Sequence, residues 1–479
     1  MKKPRISKSV LISTGLPVLV ALLGGGVLAW WLHGSEVRNL QAREPAPQVE
    51  QATPAAGTAA APGAAATTAA GAAGSTVQSG GVAANLPGSW PNFRGPNLDN
   101  ISPEQTPLAR SWGASGPKVV WSVNLGEGYA GPAVLKGRVY VLDYDQASSS
   151  DVLRCLSLAD GKEIWKYAYS SPVKRNHGMS RTTPAVTDKY VVTLGPRAIV
   201  VCADADTGKV YWTHDLVKEY GTKVPEWYAG QNPLIDGGKA IIAPAGKSLM
   251  VAFDLATGKA VWQTPNPRGW QMTHASLAPF TVGGKRMYAY PASLGVVGVS
   301  ASDGALLWET TDWKVSTATV PTPLPVGDGK LFLTGGYNSG ALMLQISGSG
   351  SKYTAKTLFR LPASVCSSAQ HTPILYKGNI YAVIDGGGEL VCLDLSGKSL
   401  WRSGNTHRFG LGAYLIAGGR LYLVNDSGTL TLAEASSSGY QQLAQAKVLN
   451  GPDAWGPMAM AGGLLLVRDL NRMVCLDVR

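Results

Sequence analysis

The stretch Val200-Val-Cys-Ala-Asp-Ala-Asp-Thr-Gly-Lys-Val-Tyr-Trp212 decides the fold. Its apolar opening reads as a buried strand, and Thr-Gly marks a tight hairpin turn into a second strand that carries Trp212. The same order returns in Asp254-Leu-Ala-Thr-Gly-Lys-Ala-Val-Trp262. Working outward, a Gly stands four residues before a Trp at Gly161/Trp165, Gly208/Trp212, Gly258/Trp262, Gly304/Trp308 and Gly397/Trp401. The Trp residues are spaced by 47, 50 and 46 residues and then by 93, which is two periods with one degenerate unit between.

Two further registers share this period. A Pro precedes or enters an apolar run at Pro132, Pro184, Pro233, Pro279, Pro323, Pro373 and Pro457. Pro cannot donate to a ladder, so these runs read as strands with one free edge. A two-residue turn follows at Lys136-Gly137, Gly237-Gly238, Gly283-Gly284, Asp328-Gly329, Lys377-Gly378, Gly418-Gly419 and Gly462-Gly463. Each unit therefore holds four strands in about 45 residues, the size of a propeller blade. Residues 119–479 accommodate eight units, those near Leu358 and Leu443 having lost the Trp. The predicted fold is all-β: an eight-bladed β-propeller of four-stranded antiparallel blades. The repeat Trp residues are Trp121, Trp165, Trp212, Trp262, Trp308 and Trp401. The last unit lacks its Trp strand, so strand 119–125, with Trp121, is expected to complete it and close the ring.

Composition agrees with many short strands. The 479 residues include 58 Gly and 30 Pro, with 45% hydrophobic and only 15% charged residues, against about a quarter charged in ordinary globular chains. This excludes a coiled coil, a collagen-like chain and a multi-span membrane protein. Of the net charge of +11, residues 1–88 hold +3 and the remainder +8, with no dense Lys/Arg run. Nucleic-acid binding is not expected.

Residues 9–32 read as a transmembrane signal-anchor helix, since no charge occurs from Ser9 to Ser35 and about 20 apolar residues span a bilayer. Lys2, Lys3, Arg5 and Lys8 precede it, placing residues 1–8 in the cytoplasm and the rest beyond the inner membrane, in the periplasm. A cleavable signal peptide would have a shorter apolar region and an A-x-A-like site; this run is longer and ends in Ala29-Trp30-Trp31. Residues 33–88, rich in Ala, Pro, Gly and Thr, read as a disordered linker, and residues 89–118 as an N-terminal extension of the propeller.

The Asp-x-x-Thr-Gly-x-x-x-Trp pattern of Asp204–Trp212 and Asp254–Trp262 resembles the pyrrolo-quinoline quinone (PQQ)-like repeat. Ser89-Trp-Pro-Asn-Phe-Arg-Gly-Pro-Asn97 resembles the segment that opens PQQ-like propellers of planctomycetes and verrucomicrobia. The similarity covers residues 89–479. This BamB-like and quinoprotein-like superfamily includes dehydrogenases, outer-membrane assembly lipoproteins and members of no known activity. A catalytic member implies PQQ, Ca²⁺ and an adjacent Cys-Cys pair. Here Cys155, Cys202, Cys366, Cys392 and Cys475 are never adjacent, and four of them share one repeat position, which reads as buried small apolar side chains. The chain also lacks a lipobox Cys near its N-terminus.

No hydrolase motif is present, and the Asp residues before each Trp recur with the repeat, so they read as turn formers. His214, after a Trp strand, reads as a surface residue. Segments leading into the innermost strands should line the mouth of the ring, and they carry polar and aromatic groups: Tyr129, His177, Arg181, Glu226, Trp227, Gln231, His274, His371 and Trp455. These are the candidate binding residues; no catalytic or metal-binding residue is assigned. The expected function is a non-catalytic binding or scaffold module of the cell envelope, without a cofactor. Its partners would be envelope proteins or a small ligand in the channel. The alternative is a PQQ- and Ca²⁺-dependent quinoprotein alcohol dehydrogenase.

Overall fold

The computed structural model describes residues 74–113 and 115–479. The anchor at 9–32 and the linker up to residue 73 lie outside the described residues, among which no helix is long and apolar enough to cross a membrane.

Eight antiparallel sheets follow one another along the chain. Blade 1 is built from Ala133–Leu135, Arg138–Asp145, Ser150–Ser157 and Glu163–Ser170, and blade 2 from Ala185–Val186, Tyr190–Leu194, Ile199–Asp204 and Val210–Asp215. Blades 3 to 7 repeat this order from Leu234 to Lys447. Blade 8 takes three strands from the C-terminus, Ala459–Ala461, Leu464–Arg468 and Arg472–Asp477, and its outermost strand, Lys118–Asn124, from the N-terminal side. That strand closes the ring, as the repeat count requires.

Local chemistry explains the regularity. All seven two-residue turns between first and second strands have positive φ at both positions, as in Gly237-Gly238 at 54° and 73°, the conformation whose twist matches a hairpin. In the turns between third and fourth strands, Asp204 Oδ1 accepts the backbone N–H and the hydroxyl of Thr207, and Asp254 does the same for Thr257. The repeated Asp residues thus fix turns. The glycine that follows packs on the previous blade's tryptophan: a Cβ at Gly208, where φ is 70°, would lie 2.4 Å from the Trp165 ring. Trp121 and Trp212 extend this link by donating Nε1–H to Leu158 and Leu255 carbonyls of the following blade, both at 2.9 Å. Phe359 occupies the Trp register in blade 5 and Ala444 in blade 7. The four repeat cysteines pair across strands with Trp residues of their own blades, for example Cys155 with Trp165 and Cys475 with Trp121; all five thiols are buried and free.

Two findings depart from expectation. Gly74–Gln78, placed in the linker 33–88, forms a strand antiparallel to Glu163–Ser170 at the outer edge of blade 1. All five residues are exposed; an edge offers backbone groups that small polar residues can pair without any hydrophobic pattern. His214 is not a plain surface residue. It stacks on Phe253 at 4.2 Å, and its ring nitrogens meet Glu219 at 2.7 Å and the Gly258 carbonyl at 2.8 Å, joining blades 2 and 3.

The extension at 89–118 does more than lead into the ring. Trp90, 1% exposed, bridges antiparallel to Val134 of the innermost strand of blade 1, and the Val186 N–H donates to the Pro91 carbonyl at 2.8 Å. Arg94 then donates to the Pro373 carbonyl at 3.0 Å, and Ile101–Ser102 pair parallel with Ile416–Ala417. Glu104 accepts backbone N–H groups of Ser89 and Gly462 and ties the base of the loop. Residues 89–104 are therefore held by the innermost strands of blades 1, 2, 6 and 7 and plug the channel.

Candidate functional site

Lead-in segments and the loops between second and third strands share one end of the blades, and there they enclose a cavity of about 370 Å³. All eight blades contribute to its wall, and Phe93 of the plug lies in it as well. Seven predicted residues line this cavity: Tyr129, His177, Arg181, Trp227, His274, His371 and Trp455. Glu226 is exposed and lies outside the lining. Gln231 is fully buried, and its amide accepts the Ala243 N–H and donates to the Ala243 carbonyl; it satisfies a strand end. Part of the lead-in polarity is structural in the same way. Asn232 accepts the Thr183 N–H at 2.6 Å and donates to Ser276 Oγ at 2.9 Å, linking successive blades.

One wall is an aromatic stack. Tyr129 leans on Trp455 with ring centroids 5.2 Å apart, and the Arg181 guanidinium lies 5.1 Å from the Tyr129 centroid, within cation–π range. Both rings are anchored by carboxylates: Tyr129 donates to Asp453 at 3.1 Å and Trp455 Nε1–H to Asp426 at 2.7 Å. Burial raises the Tyr129 hydroxyl to about 12, so it remains protonated. Opposite, Trp227 tilts against His274 at 6.4 Å. Gly230 permits this approach, since a Cβ there would sit 2.9 Å from the imidazole.

The imidazoles of His274, buried, and His371, partly buried, are neutral near pH 7. Burial, with the Arg181 charge adding, lowers His274 to about 4. Burial also lowers His371 to about 4. His371 Nε2 lies 2.7 Å from the Leu411 carbonyl, which can only accept, so that nitrogen carries the hydrogen. The His274 ring bonds to the Glu226 backbone. Both therefore act as positioned hydrogen-bonding groups, and neither is paired with a nucleophile.

Sequence reasoning missed Phe93, Tyr337 and Asp385 in this wall. Tyr337 and Asp385 stand on loops between second and third strands, joined by the Tyr337 N–H donating to Asp385 at 3.0 Å. Ring topology places those loops at the same end as the lead-in segments, which was the available signal. Backbone strain marks the rim as well: the non-Gly residues His177, Trp227, Tyr228, Tyr337, Asn338 and Asp453 all have φ between 56° and 70°. Such conformations cost on the order of 1–3 kcal/mol each and concentrate at ligand clamps.

The donor set does not fit the PQQ–Ca²⁺ pair. Ca²⁺ needs several converging oxygen ligands, yet Asp385 is the carboxylate in the lining, and no three His, Cys, Asp or Glu side chains form a metal cluster among the described residues.

Comparison with known proteins agrees with the ring and its repeat. A family model described as outer membrane protein assembly factor BamB matches residues 148–383. The outer membrane protein assembly factor BamB of Moranella endobia (strain PCIT) is 24% identical over 294 residues, covering 58% of this chain and 70% of the relative. Among solved structures, BamB from Moraxella catarrhalis aligns with a TM-score of 0.52 at 14% identity, covering 75% of this chain and 99% of that one. A europium-containing methanol dehydrogenase aligns with a TM-score of 0.59 at 13% identity, covering 81% and 91%. At these identities the solved structures speak for the fold alone. The Trp–Gly repeat, the eight closed blades and the family match over residues 148–383 together show an eight-bladed propeller of PQQ-like repeats, similar to BamB over about half of the chain.

Proposed function

We propose that the protein is a non-catalytic binding propeller of the cell envelope, held to the inner membrane through residues 9–32, whose mouth cavity seats an anchoring group of a partner. The observation that carries this reading is the convergence of all eight blades on one cavity lined by two Trp, two Tyr and one Arg, with Phe93 of the plug in its wall. Those residue types dominate binding hot spots. The matched relative's name, an outer membrane assembly factor, supports an envelope protein as partner. Both imidazoles, His274 and His371, are neutral and bonded to backbone, which suits positioning better than proton transfer.

Crosslinking in cells followed by mass spectrometry tests this reading. Wild-type protein should yield a reproducible envelope partner, and Trp227→Ser combined with Trp455→Ser should lose most of it while keeping the wild-type unfolding midpoint. Recovery of no partner, or full recovery by the double variant, would overturn the proposal. Turnover of an alcohol with PQQ, Ca²⁺ and a dye would restore the dehydrogenase alternative.

A further inference from the structure

The cavity wall holds a guanidinium, that of Arg181, with no carboxylate partner among the described residues. Its Nε is buried without a partner, and its hydrogen bond to the Asn176 carbonyl is long at 3.4 Å. Burial lowers its pKa only to about 10, so the guanidinium is charged at neutral pH. Holding such a charge in a partly dry site without a counter-ion is costly, and an entering anion would relieve that cost. The fork geometry of arginine suits a carboxylate in particular.

The surroundings limit that anion. Phe93, Trp227 and Trp455, with Val320 and Leu411, make the wall largely aromatic and apolar. Asp385 stands as a carboxylate in the same wall, and the neutral imidazoles of His274 and His371 add no positive charge. One cation therefore matches one carboxylate, whereas a polyacid would leave further charges unpaired beside Asp385.

We propose, building on the binding reading above, that the cavity takes a monovalent aromatic carboxylate, its acid paired with Arg181 and its ring among Tyr129, Trp227 and Trp455. A free aromatic acid and a polypeptide ending in an aromatic residue both present this chemistry.

Calorimetric titration of the full chain with N-acetyl-tryptophan and N-acetyl-tryptophanamide tests the assignment. The acid should bind at least tenfold tighter than the amide. Arg181→Gln should abolish that preference, and Arg181→Lys, which keeps the charge, should retain part of it; unfolding midpoints confirm that both variants fold. A pentapeptide ending in Trp with a free carboxylate separates the sources. Tighter binding than the free acid assigns a chain end, equal or weaker binding assigns a small acid, and both outcomes uphold the carboxylate. Equal affinity for acid and amide, a preference that survives Arg181→Gln, or no binding of any probe would overturn the inference. If the Trp227/Trp455 variant still loses its crosslinked partner in that case, the binding reading stands and the aromatic carboxylate alone falls.

Discussion

Asp151 on blade 1 has no exposure; its Oδ2 accepts the Tyr169 hydroxyl, and its Oδ1 has no hydrogen-bond partner. Burial pushes this carboxyl up to about 7, with the Tyr169 hydrogen bond opposing and the Asp143 charge adding. In an unfolded chain the group titrates near 3.9. Between these values the folded state holds a proton that the unfolded state has lost, so stability falls as pH rises. Its contribution is complete below about pH 4 and gone by about pH 7. Asp151→Asn should remove that slope. Thermal unfolding from pH 4 to 8 is expected to show a wild-type decline that the variant lacks, and parallel curves would refute the assignment. Single residues were legible only where their role was local. Gly237-Gly238 and Asp204 announce turns because the backbone conformation or side-chain bond they supply closes within four residues. Gln231 and Glu226 looked like their lead-in neighbours, and only tertiary placement sends one into a strand end and the other to the surface.

At the scale of elements, the coupling of a tryptophan to the next blade's glycine turn explains why the repeat was readable at all. It recurs at a fixed spacing because every blade faces the same neighbour. Trp121 makes this contact where the two ends of the ring meet, with its indole 7% exposed and bonded to Leu158. Trp121→Ala should destabilise the propeller by about 3–5 kcal/mol in denaturant titration, the usual cost of emptying a large buried site. Deleting the wholly exposed strand Gly74–Gln78 should cost less than about 1 kcal/mol in the same assay. If the deletion costs as much as Trp121→Ala, ring closure does not reside in the Trp strand. The outer strand at 74–78 and the plug at 89–104 were illegible as elements for one reason. Both are held chiefly through backbone groups of distant strands, which leave no periodicity in the sequence.

At the scale of the whole molecule, one repeat produces a ring with two unlike ends. The hairpin turns at one end are short and regular, whereas the loops at the other carry the aromatic stack and Arg181. The plug adds to this difference, since it bonds to blades 2 and 6 across the ring and brings Phe93 into the cavity wall. Partner binding, as proposed above, takes place at this mouth. Its most direct test is a photo-crosslinking amino acid placed in cells at Tyr337, 47% exposed on the cavity rim, and separately at Lys259, exposed in a turn at the opposite end. Reproducible adducts from position 337 with none from position 259 are predicted. Adducts from position 259 alone, or equally from both, would contradict it.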